Sequence, residues 1–164
     1  MTYWNLVERY GVERFAADLA AAGGSGAITP DLIPEEAGPW LEASKEHDLD
    51  PVFLVAPSST DERLEVVGRT NRGFVYAAST MGVTGTRDTV SNRAEELVAR
   101  MRRHTDLPIG VGLGVSNGAQ AAEVAAYADA VIVGSAFVRA LDEGGVDAVR
   151  RLAEDLANGV RRGA

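Results

Sequence analysis

Short apolar runs rich in β-branched and small residues alternate along the chain with longer stretches whose apolar positions recur at helical spacing. The runs are TYWNLV near Thr2, GAIT near Gly26, PVFLVA from Pro51, GFVYAA from Gly73, PIGVGLG from Pro108 and DAVIVG from Asp129. Each reads as a strand. Between them, VERFAADLAAA, PEEAGPWLEAS, TDERLEVVGR, NRAEELVARMRRH and NGAQAAEVAAYA read as amphipathic helices, and a last helix is predicted over 146–160. The helix ends carry physical signals. Pro34 suits a first turn that Glu35 and Glu36 complement electrostatically, Asp61 and Asn117 can cap orphan N–H groups, and Arg102, Arg103 and His104 place positive charge at a C-terminus.

The uninterrupted apolar character of VFLVA and AVIVG predicts strands buried on both faces, as in parallel sheets covered by helices. The fold class expected is therefore parallel α/β. No Pro/Gly/Ser-rich linker divides the chain, so one domain is expected over 1–164.

Composition narrows the field. The chain has 164 residues, 46% hydrophobic and 24% charged, in the range of folded globular domains. Its net charge of -8 repels phosphate backbones and anionic lipid, so nucleic acid is not expected as a partner, and any anion must be held by local donors. The absence of cysteine excludes disulfides, thiolate zinc sites and cysteine nucleophiles. The most apolar stretch, 121–138, is interrupted by Glu123 and Asp129, which reads as helix plus buried strand rather than a membrane span. No signal-peptide pattern opens the sequence, and a cytoplasmic location is expected.

Two junctions carry candidate chemistry. In GVGLGVSNG a strand ends in Gly110, Gly112 and Gly114, and Ser116 or Asn117 opens a helix beside Gly118, an arrangement in which backbone N–H groups can approach an anion. One unit later Val133, Gly134 and Ser135 repeat the strand-to-helix arrangement. In β/α barrels the phosphate site is commonly built from the last two such loops. A dinucleotide fold fits less well, because Gly118 falls one position late for G-x-G-x-x-G and no ribose-binding carboxylate ends the next strand. The long connection STMGVTGTR, with Gly82 and Gly85 flanking Val83 and Thr84, reads as a lid or as a surface loop. Asp31 and Tyr76 lie near strand ends, where an active-face role competes with capping for the first and core packing for the second. His47 and His104 read as solvated helix-end cations, no metal-ligand spacing is present, and Ser58 and Ser59 lack a histidine partner.

The ordered set YWN, ITPDLIPEE, PVFLVAPSST, GFVYAASTMGVTGTR, GVGLGVSN and VIVGSAFV resembles the tryptophan synthase α chain along essentially the whole sequence. The resemblance implies a (β/α)8 TIM-barrel family fold, here a partial barrel of about six parallel strands with alternating helices. It implies a lyase of tryptophan biosynthesis that cleaves indole-3-glycerol phosphate, by a retro-aldol reaction, to indole and glyceraldehyde 3-phosphate. The expected partner is the tryptophan synthase β chain. That chain carries pyridoxal phosphate; no cofactor is expected in this one.

By resemblance Tyr76, Thr84, Gly85, Gly112, Gly114, Gly134 and Ser135 bind substrate, with phosphate against the backbone of Gly85, Gly114, Gly134 and Ser135, while Asn5 and Asp31 face the partner. The family's acid/base glutamate and indole-binding aspartate are expected on strands that precede Met1, so no catalytic residue is assigned and the isolated chain is expected to be catalytically incomplete. A non-catalytic phosphate- or partner-binding fragment, and another sugar-phosphate barrel enzyme, remain as alternatives. GVTG and DLIPEE speak against the last.

Overall fold

The computed structural model describes residues 1–78, 88–112 and 114–164, with backbone alone for 88–92. Its elements alternate between helix and strand after an opening helix pair, and the chain divides into two compact units.

The first unit comprises 1–55, 59–76 and 101–107. It opens with α1 (Trp4–Tyr10) and α2 (Val12–Ala21), separated by Gly11 at φ 97°. The TYWNLV run is thus a helix, not the strand its composition predicts. Only Thr2 makes a strand-like bond, from its N–H to the carbonyl of Ile28. The physical reason is a partner distant in sequence, since the Asp31 carboxylate accepts the Trp4 N–H at 2.9 Å and serves the helix start that Tyr3 leaves uncapped.

Strand β1 (Gly26–Ile28) pairs in parallel with β2 (Asp50–Val52), Gly26 opposite Asp50 and Ile28 opposite Val52. A 3-10 turn at Pro34–Glu36 leads into α3 (Gly38–Glu46), and Glu35 pairs with Arg63. PVFLVA does not run as one strand. It breaks at Phe53 between β2 and β3 (Leu54–Val55), where buried Asn71 accepts the Phe53 N–H and donates to the carbonyls of Phe53 and Phe74. The carboxamide supplies bonds the ladder lacks at the break. Helix α4 (Asp61–Thr70) is capped by Thr60, whose Oγ1 accepts the Arg63 N–H, so the cap lies one residue before the Asp61 expected from sequence. Trp40, fully buried, has Trp4 at 6.5 Å and Phe15 at 6.0 Å between ring centroids. Strand β4 (Val75–Ala78) neighbours β3.

The second unit comprises 56–58, 77–100 and 108–164. It holds most of α5 (Asp88–Met101) and the parallel pair β5 (Ile109–Gly112) and β6 (Ala130–Ile132). Asp129 closes the pair at its start, its carboxylate accepting the Ile109 N–H at 2.8 Å. β5 is buried throughout, whereas β6, whose apolar run predicts two covered faces, is not: Ala130 is exposed and Val131 and Ile132 half-buried. The only described strand beside it is β5.

Helix α6 (Gly118–Ala125) follows β5, and α7 (Ser135–Gly163) follows β6. Gly144 and Gly145 depart from helical dihedrals and divide α7 into 135–143 and 146–163. The final helix predicted over 146–160 is the second part of α7. Among the described residues no helix is long and apolar enough to cross a membrane.

Candidate functional site

Parallel pairing places Gly112 opposite Ile132, so the two strands of the second unit end side by side and both glycine-rich junctions leave from the same edge. Gly112 is buried at the end of β5, while Gly114 is exposed at φ 90°, a left-handed conformation suited to glycine. Beyond it the backbone enters α6. Asn117 caps that helix as predicted, its Oδ1 accepting the Gln120 N–H at 3.0 Å.

Two contacts here were not visible in the sequence reading. The Gln120 carboxamide oxygen accepts both the N–H and the Oγ–H of Ser116, at 2.8 and 3.1 Å. Asp155 on α7 accepts the Gly118 N–H at 2.7 Å. The four-residue spacing of Ser116 and Gln120 is a local signal that could have identified the first. The second joins residues 37 positions apart and has no local signature.

The other junction differs. Gly134 and Ser135 are exposed, and Gly134 has no side chain with which to cap α7. Among the described residues no side chain caps the start of α7, where orphan N–H groups and the helix dipole favour an anion. Four of the expected substrate-binding residues, Gly112, Gly114, Gly134 and Ser135, thus lie at one end of the β5–β6 pair, three of them, Gly114, Gly134 and Ser135, expected against the phosphate. Thr84 and Gly85, in the 79–87 connection, lie outside the described residues.

Tyr76 belongs to the first unit, where β4 holds it 4% exposed. Burial raises its hydroxyl above the usual tyrosine range, so the group stays neutral and can donate a hydrogen bond. Asn5 and Asp31, both expected to face a partner, are connected through Trp4. Asp31 bonds the N–H of Trp4, the residue before Asn5, and Asn5 is exposed on α1 beside Tyr3, Leu6 and Tyr10, 63%, 57% and 46% exposed. His47 is not simply solvated, since its Nε2 lies 2.7 Å from Glu13. Glu46 brings a third ligand atom within 4.8 Å of both, and the close Glu13–His47 contact accounts for the imidazole's placement.

A family model described as tryptophan synthase alpha chain matches residues 1–162. The tryptophan synthase alpha chain of Mycobacterium intracellulare is 65% identical over 164 residues, covering 100% of this chain and 60% of the relative. That of Nocardia farcinica is 68% identical over 161 residues, covering 98% of this chain and 60% of the relative. Among solved structures, tryptophan synthase from M. tuberculosis in its aminoacrylate-bound form superposes with a TM-score of 0.88 at 59% identity, covering 98% of this chain and 60% of that one. The Pyrococcus furiosus structure, of a tryptophan synthase a2b2 complex, gives 0.84 at 35% identity, covering 98% and 65%. The chain spans 60% of the length of these curated relatives. The α/β fold class, parallel strands alternating with helices in the barrel family, accords with these neighbours.

Proposed function

This chain belongs to the tryptophan synthase alpha chain family, and on that premise we propose that its residues form the phosphate-binding end of a lyase that cleaves indole-3-glycerol phosphate to indole and glyceraldehyde 3-phosphate. The observation that carries the reading is the paired strand end. Gly112 lies opposite Ile132, and the two following junctions present Gly114 on one side and the uncapped start of α7, with Gly134 and Ser135, on the other. Backbone donors at such junctions suit a phosphate in a chain whose overall charge repels it.

The reaction needs a proton delivered to the indole ring and one removed from the glycerol hydroxyl. No residue here is assigned to either transfer. Tyr76, neutral because buried, is proposed beside the reacting part of the substrate as a hydrogen-bond donor, and Thr84 and Gly85 are proposed in the closing loop and the phosphate site. We place Asn5 and Asp31 at the surface that meets the β chain. Exposed Tyr3, Leu6 and Tyr10 around Asn5 support a docking role, since apolar patches of this kind mark interfaces. Pyridoxal phosphate is expected on that partner and no residue of this chain is assigned to it. A cytoplasmic setting is proposed with the pathway.

The test is indole release from indole-3-glycerol phosphate. It is measured for the 164-residue chain and for a fusion to the portion of the Mycobacterium intracellulare relative that the match leaves uncovered. The reading expects turnover by the fusion and little by the chain alone. Absence of indole from a folded fusion, with and without a β chain, contradicts it.

A further inference from the structure

Resting on the phosphate-site reading, we infer that Asp155, on the last helix, is a positioning residue that fixes the anion-binding loop after β5. The loop ends where α6 begins, and the first amide of α6, Gly118 N–H, donates to Asp155 Oδ2 at 2.7 Å. That amide is one of the orphan donors of a helix start. Asp155 therefore ties the end of the loop to a different helix rather than to solvent.

The tie is reinforced by the way the two helices meet. A Cβ at Gly118 would collide with the backbone oxygen and carboxylate of Asp155, one at Gly159 with the carbonyl of Gly118, and one at Gly163 with that of Ala122. Asp155, Gly159 and Gly163 recur every four residues on one face of α7, and Gly118 and Ala122 do the same on α6. The helices are thus in backbone contact along a seam whose first member is the Asp155–Gly118 bond. On the loop's other side Gln120 draws in both donors of Ser116, so residues 116–118 are held from two directions. Preorganised donors bind an anion without the cost of ordering the loop, and loss of the tie returns that cost.

The carboxylate has a second effect that makes the inference separable from simple stability. Its negative charge sits at the same helix start whose dipole favours an anion. Asp155→Asn keeps an oxygen able to accept the Gly118 N–H and removes that charge, whereas Asp155→Ala removes both.

The experiment is calorimetric titration of the full chain and both variants with glycerol 3-phosphate, alongside amide hydrogen exchange. Expected are affinity roughly five- to tenfold weaker for Asp155→Ala, affinity equal to or tighter than the unsubstituted chain for Asp155→Asn, and slowed exchange at Gly118 in the unsubstituted chain. Unchanged affinity in Asp155→Ala overturns the inference alone, as does Asp155→Asn binding as weakly as Asp155→Ala. Rapid exchange at Gly118 overturns it without any variant, which keeps it testable if Asp155→Ala does not fold. No binding by the unsubstituted chain overturns the phosphate reading and this inference with it.

Discussion

The two units pack their helices in opposite ways. In the first, α2 and α3 are joined through aromatic side chains: Trp40 is fully buried with Phe15 and Trp4 against it. In the second, α6 and α7 meet backbone to backbone at Gly118 and Gly159 and at Ala122 and Gly163. An aromatic core is held by buried area and suffers when volume is removed; a glycine seam is held by close approach and suffers when volume is added. The candidate phosphate loops belong to the unit with the seam. The contrast suggests that where strand-end backbone must be placed for a ligand, the helices behind it are fixed by main-chain contact.

The contrast can be broken from either side. Trp40→Ala should lower stability by about 3–5 kcal/mol in denaturant unfolding, the cost of emptying a large buried site. Trp40→Phe should cost much less, because the buried indole N–H of Trp40 has no acceptor among the described residues and its loss removes no bond seen there. If the two substitutions cost the same, the aromatic account of α2 and α3 fails. Gly159→Ala should lower stability by about 1–3 kcal/mol, the cost of overpacking, although alanine is the better helix former. A Gly159→Ala variant as stable as its parent would show that the seam relaxes freely. With 1–164 proposed as one domain, both losses should appear in a single melting transition, and two separate transitions would contradict that proposal.

Smaller effects separate the helix starts. Thr60→Ala and Asn117→Ala each remove one cap and should each cost about 1 kcal/mol. Only Asn117→Ala should also weaken glycerol 3-phosphate binding, since only that cap borders the loop after β5. Equal effects of the two on binding would remove the distinction between the units.

A last, mild effect is expected in alkali. Burial raises the hydroxyls of Tyr76 in the first unit and Tyr127 in the second, the latter with added repulsion from Glu95 and Glu123. A group whose folded pKa is raised contributes stability that is fully present below its unfolded pKa, about 10 for tyrosine, and is lost as pH rises through the folded value. Stability should therefore fall as pH rises past that range, and Tyr76→Phe should flatten the fall when melting is followed against pH.

Much of this was legible in the chain. Apolar periodicity located α2, α4 and α6, the Asn117 cap follows from its side chain, and the two glycine junctions mark the ends of β5 and β6. What was not legible depended on partners distant in sequence. TYWNLV has strand-like composition, yet an acceptor at Asp31 makes its start a helix. PVFLVA looks continuous, yet Asn71 supplies the bonds that let it break at Phe53. β6 is as apolar as β5, but only β5 is covered throughout, which depends on neighbours and not on its own residues. Asp155 looks like any other carboxylate on a charged helix until α6 is set against it.

The most direct test follows backbone amide shifts by NMR as glycerol 3-phosphate is added to the 164-residue chain. If the paired ends of β5 and β6 form the phosphate site, the amides of Gly114, Val115, Gly134 and Ser135 shift together and saturate at one common midpoint, while those of α1 around Asn5 stay in place. No saturable shift at these amides, or the largest shifts elsewhere, would contradict the account.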